Sequence, residues 1–192
     1  MRTTEGCAEH PIETPRRLTL SDAGMRVFGF AGWSGSGKTT LIEQLIPRFI
    51  AQGLAVSLVK HAHHEFDLDQ PGKDSFRHRE AGCREVLVTS ALRWAIQHEL
   101  RGGPELTLGE ALQRLSPCDL ALVEGFKGAA IPKLEVYRES VGKPLLHPRD
   151  PGIVAVATDG PLATGLPVLP LAEPDVVATF ILGRLGLMRV RN

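Results

Sequence analysis

The stretch GWSGSGKTT, residues 32–40, constrains this chain more than any other. Gly32-x4-Gly37-Lys38-Thr39 is a phosphate-loop pattern, which requires a strand before it and a helix after it. The glycines let the backbone curl so that successive N–H groups face an anion, and the helix N-terminus adds its positive end. Lys38 is placed to reach β- and γ-phosphates, and Thr39 to ligate Mg²⁺. The flanks agree. VFGFA (27–31) is a short apolar run that reads as a buried strand. Apolar residues at 41, 42, 45, 46, 49 and 50 repeat with helical spacing, up to a stop at Gly53. Pro47 conflicts with that helix and predicts a kink. Trp33, inside the loop, reads either as a surface lid or as plain packing.

Further elements follow the same alternation. Strands are expected at 55–61, 84–90, 93–99, 119–126, 133–138 and 152–158. The pair 84–90 and 93–99 suggests a hairpin, and DLALVEGF (119–126) a central parallel strand. Helices are expected up to Ala81, at 107–115 behind a Thr107/Glu110 capping box, and at 174–185. The order predicts a P-loop NTPase-type three-layer α/β/α fold with a mostly parallel sheet. Residues 1–24 lack periodicity and read as a flexible lead-in to a domain spanning 25–192.

Composition narrows the partners. Lys+Arg and Asp+Glu are both 22, so no basic field argues for nucleic acid. No apolar signal-peptide core opens the chain, and Asp159, prolines and glycines interrupt the most apolar stretch, 152–172. Cys7, Cys83 and Cys118 are too scattered for a disulfide framework or a zinc cluster. A cytoplasmic protein without a membrane span is expected.

A Mg²⁺ site beside the loop needs a carboxylate at a C-terminal strand end. Glu124 ends its strand and is the candidate, as metal-side or water-side group. Asp119 begins the same strand and reads as a turn or cap residue. The segment KHAHHEFDLDQPGKDSFRHREAG (60–82) should lie over the same sheet edge. His61, His63 and His64 lack zinc-ligand spacing, so a polar loop is preferred over zinc. Alternatively Asp67 and Asp69 hold Mg²⁺ through waters, while Lys73, Arg77 and His78 meet an anion.

GWSGSGKTTLIEQLI, VKHAHHEFDLDQPGKDSFRHREAG and DLALVEGFK, in that order and spacing, resemble the MobB family of molybdopterin-guanine dinucleotide biosynthesis proteins. The resemblance runs from about Val27 to the last helix, and its middle segment is the specific part. It implies a GTP-binding α/β protein with weak GTPase activity, a homodimer, and a helper role beside the MobA guanylyltransferase, which attaches GMP to molybdopterin. By motif it carries phosphate contacts onto Gly32, Ser34, Gly35, Ser36, Gly37, Lys38 and Thr39, with Thr40 adjoining. His64, Asp67, Asp69, Lys73, Asp74 and Ser75 fall in the second motif, and Glu124, Gly125 and Lys127 in the third.

The Asn-Lys-x-Asp sequence common in guanine sites is absent. Asp159 is the substitute candidate, since a carboxylate accepts from guanine N1 and N2, donors that adenine lacks there. Asp159-Gly160 reads equally as a turn. The alternative function is a P-loop small-molecule kinase, although no compact Arg-rich lid is evident. A further alternative is a carrier that holds nucleotide and pterin without useful catalysis.

Overall fold

The structure, a computed structural model, describes residues 24–62, 66 and 68–188. The lead-in expected over 1–24 lies outside these residues except for Gly24. The strands are β1 (Arg26–Ala31), β2 (Val56–Lys60), β3 (Glu85–Thr89), β4 (Trp94–His98), β5 (Leu120–Glu124), β6 (Lys133–Tyr137), β7 (Ile153–Thr158) and β8 (Val168–Pro170). The helices are α1 (Lys38–Ala51), α2 (Asp74–Glu80), α3 (Leu108–Leu112) and α4 (Pro174–Leu185). Six strands pair in the order β2-β5-β1-β6-β7-β8, every pair parallel. This is the α/β class read from the sequence. β8 was not foreseen: a three-residue strand beginning and ending beside prolines gives almost no periodic signal.

Alternation sorts the strand residues onto two faces. Phe28, Phe30, Leu120, Leu122, Leu134, Val136, Ala155 and Ala157 share one core with Leu41, Leu45 and Phe49 of α1 and Val177, Ile181 and Leu182 of α4. Each of the larger side chains contributes about 1.5–3 kcal/mol by leaving water. α1 runs on through Pro47. Arg48 Nη1 donates to the Gln44 carbonyl at 2.7 Å, in the turn that the proline loosens. Gly53, at φ 76, stands just past the end of α1 as expected. Thr107 and Glu110 form the foreseen capping box of α3.

The other face is built differently. On β6 the residues alternating with Leu134 and Val136 are Lys133 and Glu135, a pattern that would ordinarily put both charges in water. Each is only 1% exposed. Lys133 Nζ donates to the carbonyls of Lys127 (3.0 Å) and Ala129 (2.7 Å) and pairs with Asp150 (2.8 Å). Glu135 accepts from Leu146 N (2.6 Å) and His147 N (3.0 Å), and meets His147 Nδ1 at 3.2 Å. These two side chains hold down the connections β5→β6 and β6→β7, neither of which contains an α-helix; the second carries two 3₁₀ turns, Glu139–Val141 and His147–Arg149. Buried charges persist only when so fully partnered. Gly29 on β1 makes the space, since a Cβ there would lie 2.6 Å from Lys133 Cγ.

β3 and β4 form their own antiparallel sheet, as expected of a hairpin. α2 packs on β3. Arg79 of α2, 9% exposed, fastens the hairpin's base by pairing with Asp69 (2.7 Å) and Glu99 (2.6 Å).

Candidate functional site

The loop between β1 and α1 lies at the C-terminal end of the parallel strands, where open α/β sheets gather ligands. Gly32, at φ 146, passes so close to β6 that a Cβ would sit 2.5 Å from the Val136 carbonyl oxygen. Gly37 is left-handed at φ 94 and starts α1 without a side-chain cap, leaving the first-turn N–H groups for a ligand. Among the described residues, Ser36 Oγ is a buried oxygen with no hydrogen-bond partner. Lys38 Nζ bends back to donate to the Trp33 carbonyl at 2.8 Å. Burial lowers the Lys38 pKa most; the nearby Glu124 carboxylate opposes this, and the Lys127 and Lys60 ammonium groups add to it. An ammonium held in such surroundings favours an added anion.

Thr39 Oγ1 donates to Glu124 Oε1 at 2.9 Å, and Glu124 Oε2 pairs with Lys60 Nζ at 3.4 Å. Strand register explains the meeting: Glu124 ends β5, opposite Lys60 of β2 and Phe30 of β1, and β1 runs into the loop. A hydroxyl and a carboxylate, both hard oxygen donors, fit Mg²⁺. Asp119 sits at the other end of β5 and accepts from Ala55 N at 2.7 Å, the turn role expected of it.

Trp33 is half-buried and tethered, its Nε1 donating to the Pro144 carbonyl at 2.8 Å. Its ring lies between two ammonium groups, Lys127 Nζ at 5.3 Å and Lys143 Nζ at 5.9 Å from the centroid.

Behind the loop a cavity of about 460 Å³ is lined by Gly37, Thr40, Arg138, Asp159, Leu171 and Ala172, among others. Asp159 is thus near the loop, but it is not free. Arg138 Nη1 pairs with its Oδ2 at 2.6 Å, and Arg138 Nε donates to the Ser36 carbonyl at 3.2 Å. Sequence reasoning missed Arg138. The signal was available, because Arg138 directly follows β6 and obeys the strand-end rule that selected Glu124.

The second motif divides. Its first residues reach the site: Lys60 pairs with Glu124, and the His61 ring packs on Phe126 at 4.9 Å. His61 Nε2 also meets Glu105 at 3.2 Å. Its later residues build the hairpin's base instead. Asp69, expected at the metal, stands at the hairpin's base. Its two oxygens are held by Arg79, which is the main cause of its lowered pKa. The anion role expected of Lys73 finds no support in its place: it is exposed, at the start of α2, whose partner is β3. Asp74 and Ser75 open the same helix. His63, His64 and Asp67 lie outside the described residues. Among those described, no group of three or more His, Cys, Asp or Glu could hold a metal, and no helix is long and apolar enough to cross a membrane.

The profile of the family described as "MobB: Molybdopterin guanine dinucleotide synthesis protein B" matches residues 27–159. The chain is 40% identical over 158 residues to the "Molybdopterin-guanine dinucleotide biosynthesis adapter protein" of Escherichia coli K12, covering 81% of this chain and 90% of the relative. It is 42% identical over 156 residues to the protein of the same description from Haemophilus influenzae, covering 81% and 86%. Among solved structures, Bacillus subtilis MobB superposes with a TM-score of 0.64 at 27% identity, over 83% of this chain and 98% of that one.

Proposed function

The chain belongs to the MobB family of molybdopterin-guanine dinucleotide synthesis proteins, and we propose that it works there as a GTP-binding adapter with weak, Mg²⁺-dependent GTPase activity. Its partner is a MobA-type guanylyltransferase, its pathway ligand molybdopterin or the molybdenum cofactor, and its compartment the cytoplasm. One observation carries the nucleotide reading: the glycine loop, Lys38 and the Thr39–Glu124 pair converge at one strand end, beside a cavity that holds a second carboxylate, Asp159. The N–H groups of Ser34 to Thr40 wrap the phosphates, and Lys38 turns from the Trp33 carbonyl to the β- and γ-phosphates. Mg²⁺, when bound, neutralises charge on the phosphates. Thr39 and Glu124 would hold it, and Glu124 would also orient water at the γ-phosphate side.

Slow turnover follows from what surrounds the loop. Glu124 is already engaged by Thr39 and Lys60, so its oxygens are not free to take a proton from an attacking water. The kinase alternative is weakened by the fate of its arginines. Arg79 is held by Asp69 and Glu99 at the base of the hairpin and does not serve as a lid arginine over the phosphates.

Base choice falls to Asp159, whose Oδ2 is held by Arg138 and whose carboxylate would accept from the guanine N1 and N2 donors. Calorimetry with GTP and ATP in the presence of Mg²⁺ tests this. Wild type should prefer GTP, and Asp159→Asn should lose about tenfold of that preference, the worth of roughly one hydrogen bond to a charged group. Equal affinity for ATP and GTP in wild type would overturn the reading.

The homodimer forms through the hairpin. Leu87 and Ile96 are cross-strand partners, 57% and 47% exposed, and share a face with Trp94, 63% exposed. A two-stranded sheet with one bare apolar face is marginal until that face is covered. Leu87→Glu/Ile96→Glu should sediment as a monomer where wild type sediments as a dimer. A variant that still dimerises would place the interface elsewhere.

A further inference from the structure

Where β5 crosses to β6 without a helix, the sheet face that carries Lys133 and Glu135 is left partly open. A cleft of about 990 Å³ occupies the gap, at the upper end of the size range of small-molecule sites. Its walls are the connections 127–132 and 146–152, and Ala31 and Val154 also line it. The walls are fixed rather than loose. The buried Lys133 ammonium bonds the Lys127 and Ala129 carbonyls of one wall and the Asp150 carboxylate of the other. Glu135 fastens the Leu146 and His147 N–H groups beside them.

The charge is one-sided. Lys127, Arg149 and Arg184 line the cleft and are all exposed. Among the described residues none of the three has a carboxylate partner. Asp150 is the acid in the lining, and Lys133 neutralises it. Between the cations the surface is small and apolar: Ala129, Ala130, Ile131, Pro132. One end adjoins the glycine loop, since Ala31 precedes Gly32 and the Lys127 ammonium faces the Trp33 ring. The cleft shares no lining residue with the cavity at Asp159.

We propose that this cleft is a second ligand site, which takes an organic phosphate with an apolar body and seats it beside the nucleotide loop. The apolar walls receive the body and the unpaired cations receive the phosphate. The proposal does not depend on which nucleotide the loop binds.

The test uses flavin mononucleotide as a fluorescent probe, with riboflavin as the control that lacks the phosphate. Anisotropy is followed on the full chain with saturating GTP and Mg²⁺. The probe should bind, and riboflavin should bind at least about tenfold more weakly, as one lost charge-assisted contact implies. Arg149→Glu/Arg184→Glu should lose about tenfold or more in probe affinity through reversed charge, with GTP affinity and melting temperature unchanged. No binding of the probe, equal binding of riboflavin, or an unaltered double variant would overturn the site. So would displacement of the probe by GTP, which would place it in the nucleotide loop. A protein that holds the probe but fails to bind GTP would keep this site and refute the GTP reading alone.

Discussion

Lys38→Ala should lower GTP affinity about 100-fold, with hydrolysis lost in the same variant. The expectation comes from what Lys38 does without a ligand. Its ammonium is half-buried and donates to the Trp33 carbonyl of its own loop, its one hydrogen-bond partner among the described residues. Burial, with Lys127 and Lys60 nearby, already disfavours its charge. A polyphosphate gives that charge its counter-ion, and a hydrogen bond between charged groups is worth about 1.5–3 kcal/mol. With the field of the remaining charges the loss approaches two powers of ten. Calorimetry measures it, and circular dichroism confirms that the variant is folded. Lys38→Arg keeps the charge but not the compact point donor, and should recover little. An affinity within threefold of wild type would remove Lys38 from the phosphate site.

Lys133→Met should destabilise the fold by about 3–5 kcal/mol, the range for removing one partner of a buried ion pair. The methionine fills the apolar part of the channel beside Gly29 but leaves the Lys127 and Ala129 carbonyls and the Asp150 carboxylate without their donor. For a chain of this size, the melting temperature should fall by about 10 °C or more. Urea denaturation gives the free energy directly. Asp150→Asn should be milder, because Asp150 is 22% exposed on its side chain and water reaches the gap. The double variant should lose less than the sum of the two. A Lys133→Met protein within 1 kcal/mol of wild type would show that the connections hold without this tie.

The sequence spoke clearly where local pattern and tertiary role agree. The glycine loop, α1, the capping box of α3 and the buried β5 each carry a signal of their own period or spacing. Glu124 was legible because its strand could be found and its end identified. The sequence was silent where the deciding partner lies in another element or connection rather than in the residue's own periodic pattern. Asp69 looks like a metal ligand among acids and histidines, yet Arg79 takes it in the fold. Lys133 and Glu135 alternate like a solvent-facing strand edge, and only the folded connections of 127–129 and 146–150 make them interior. Arg138 stands in an unremarkable YRES sequence, and its importance comes from reaching both Ser36 and Asp159.

That reach has a thermodynamic consequence. Arg138 supports the peptide just before the start of α1 with one nitrogen and holds the Asp159 carboxylate with another. Whatever draws on Asp159 also alters how firmly Arg138 braces the phosphate loop. On the proposed assignment of Asp159 to the base, the base and phosphate halves of a bound nucleotide are therefore linked variables. Their binding free energies do not add, and a nucleoside and a polyphosphate measured separately will not sum to the whole nucleotide.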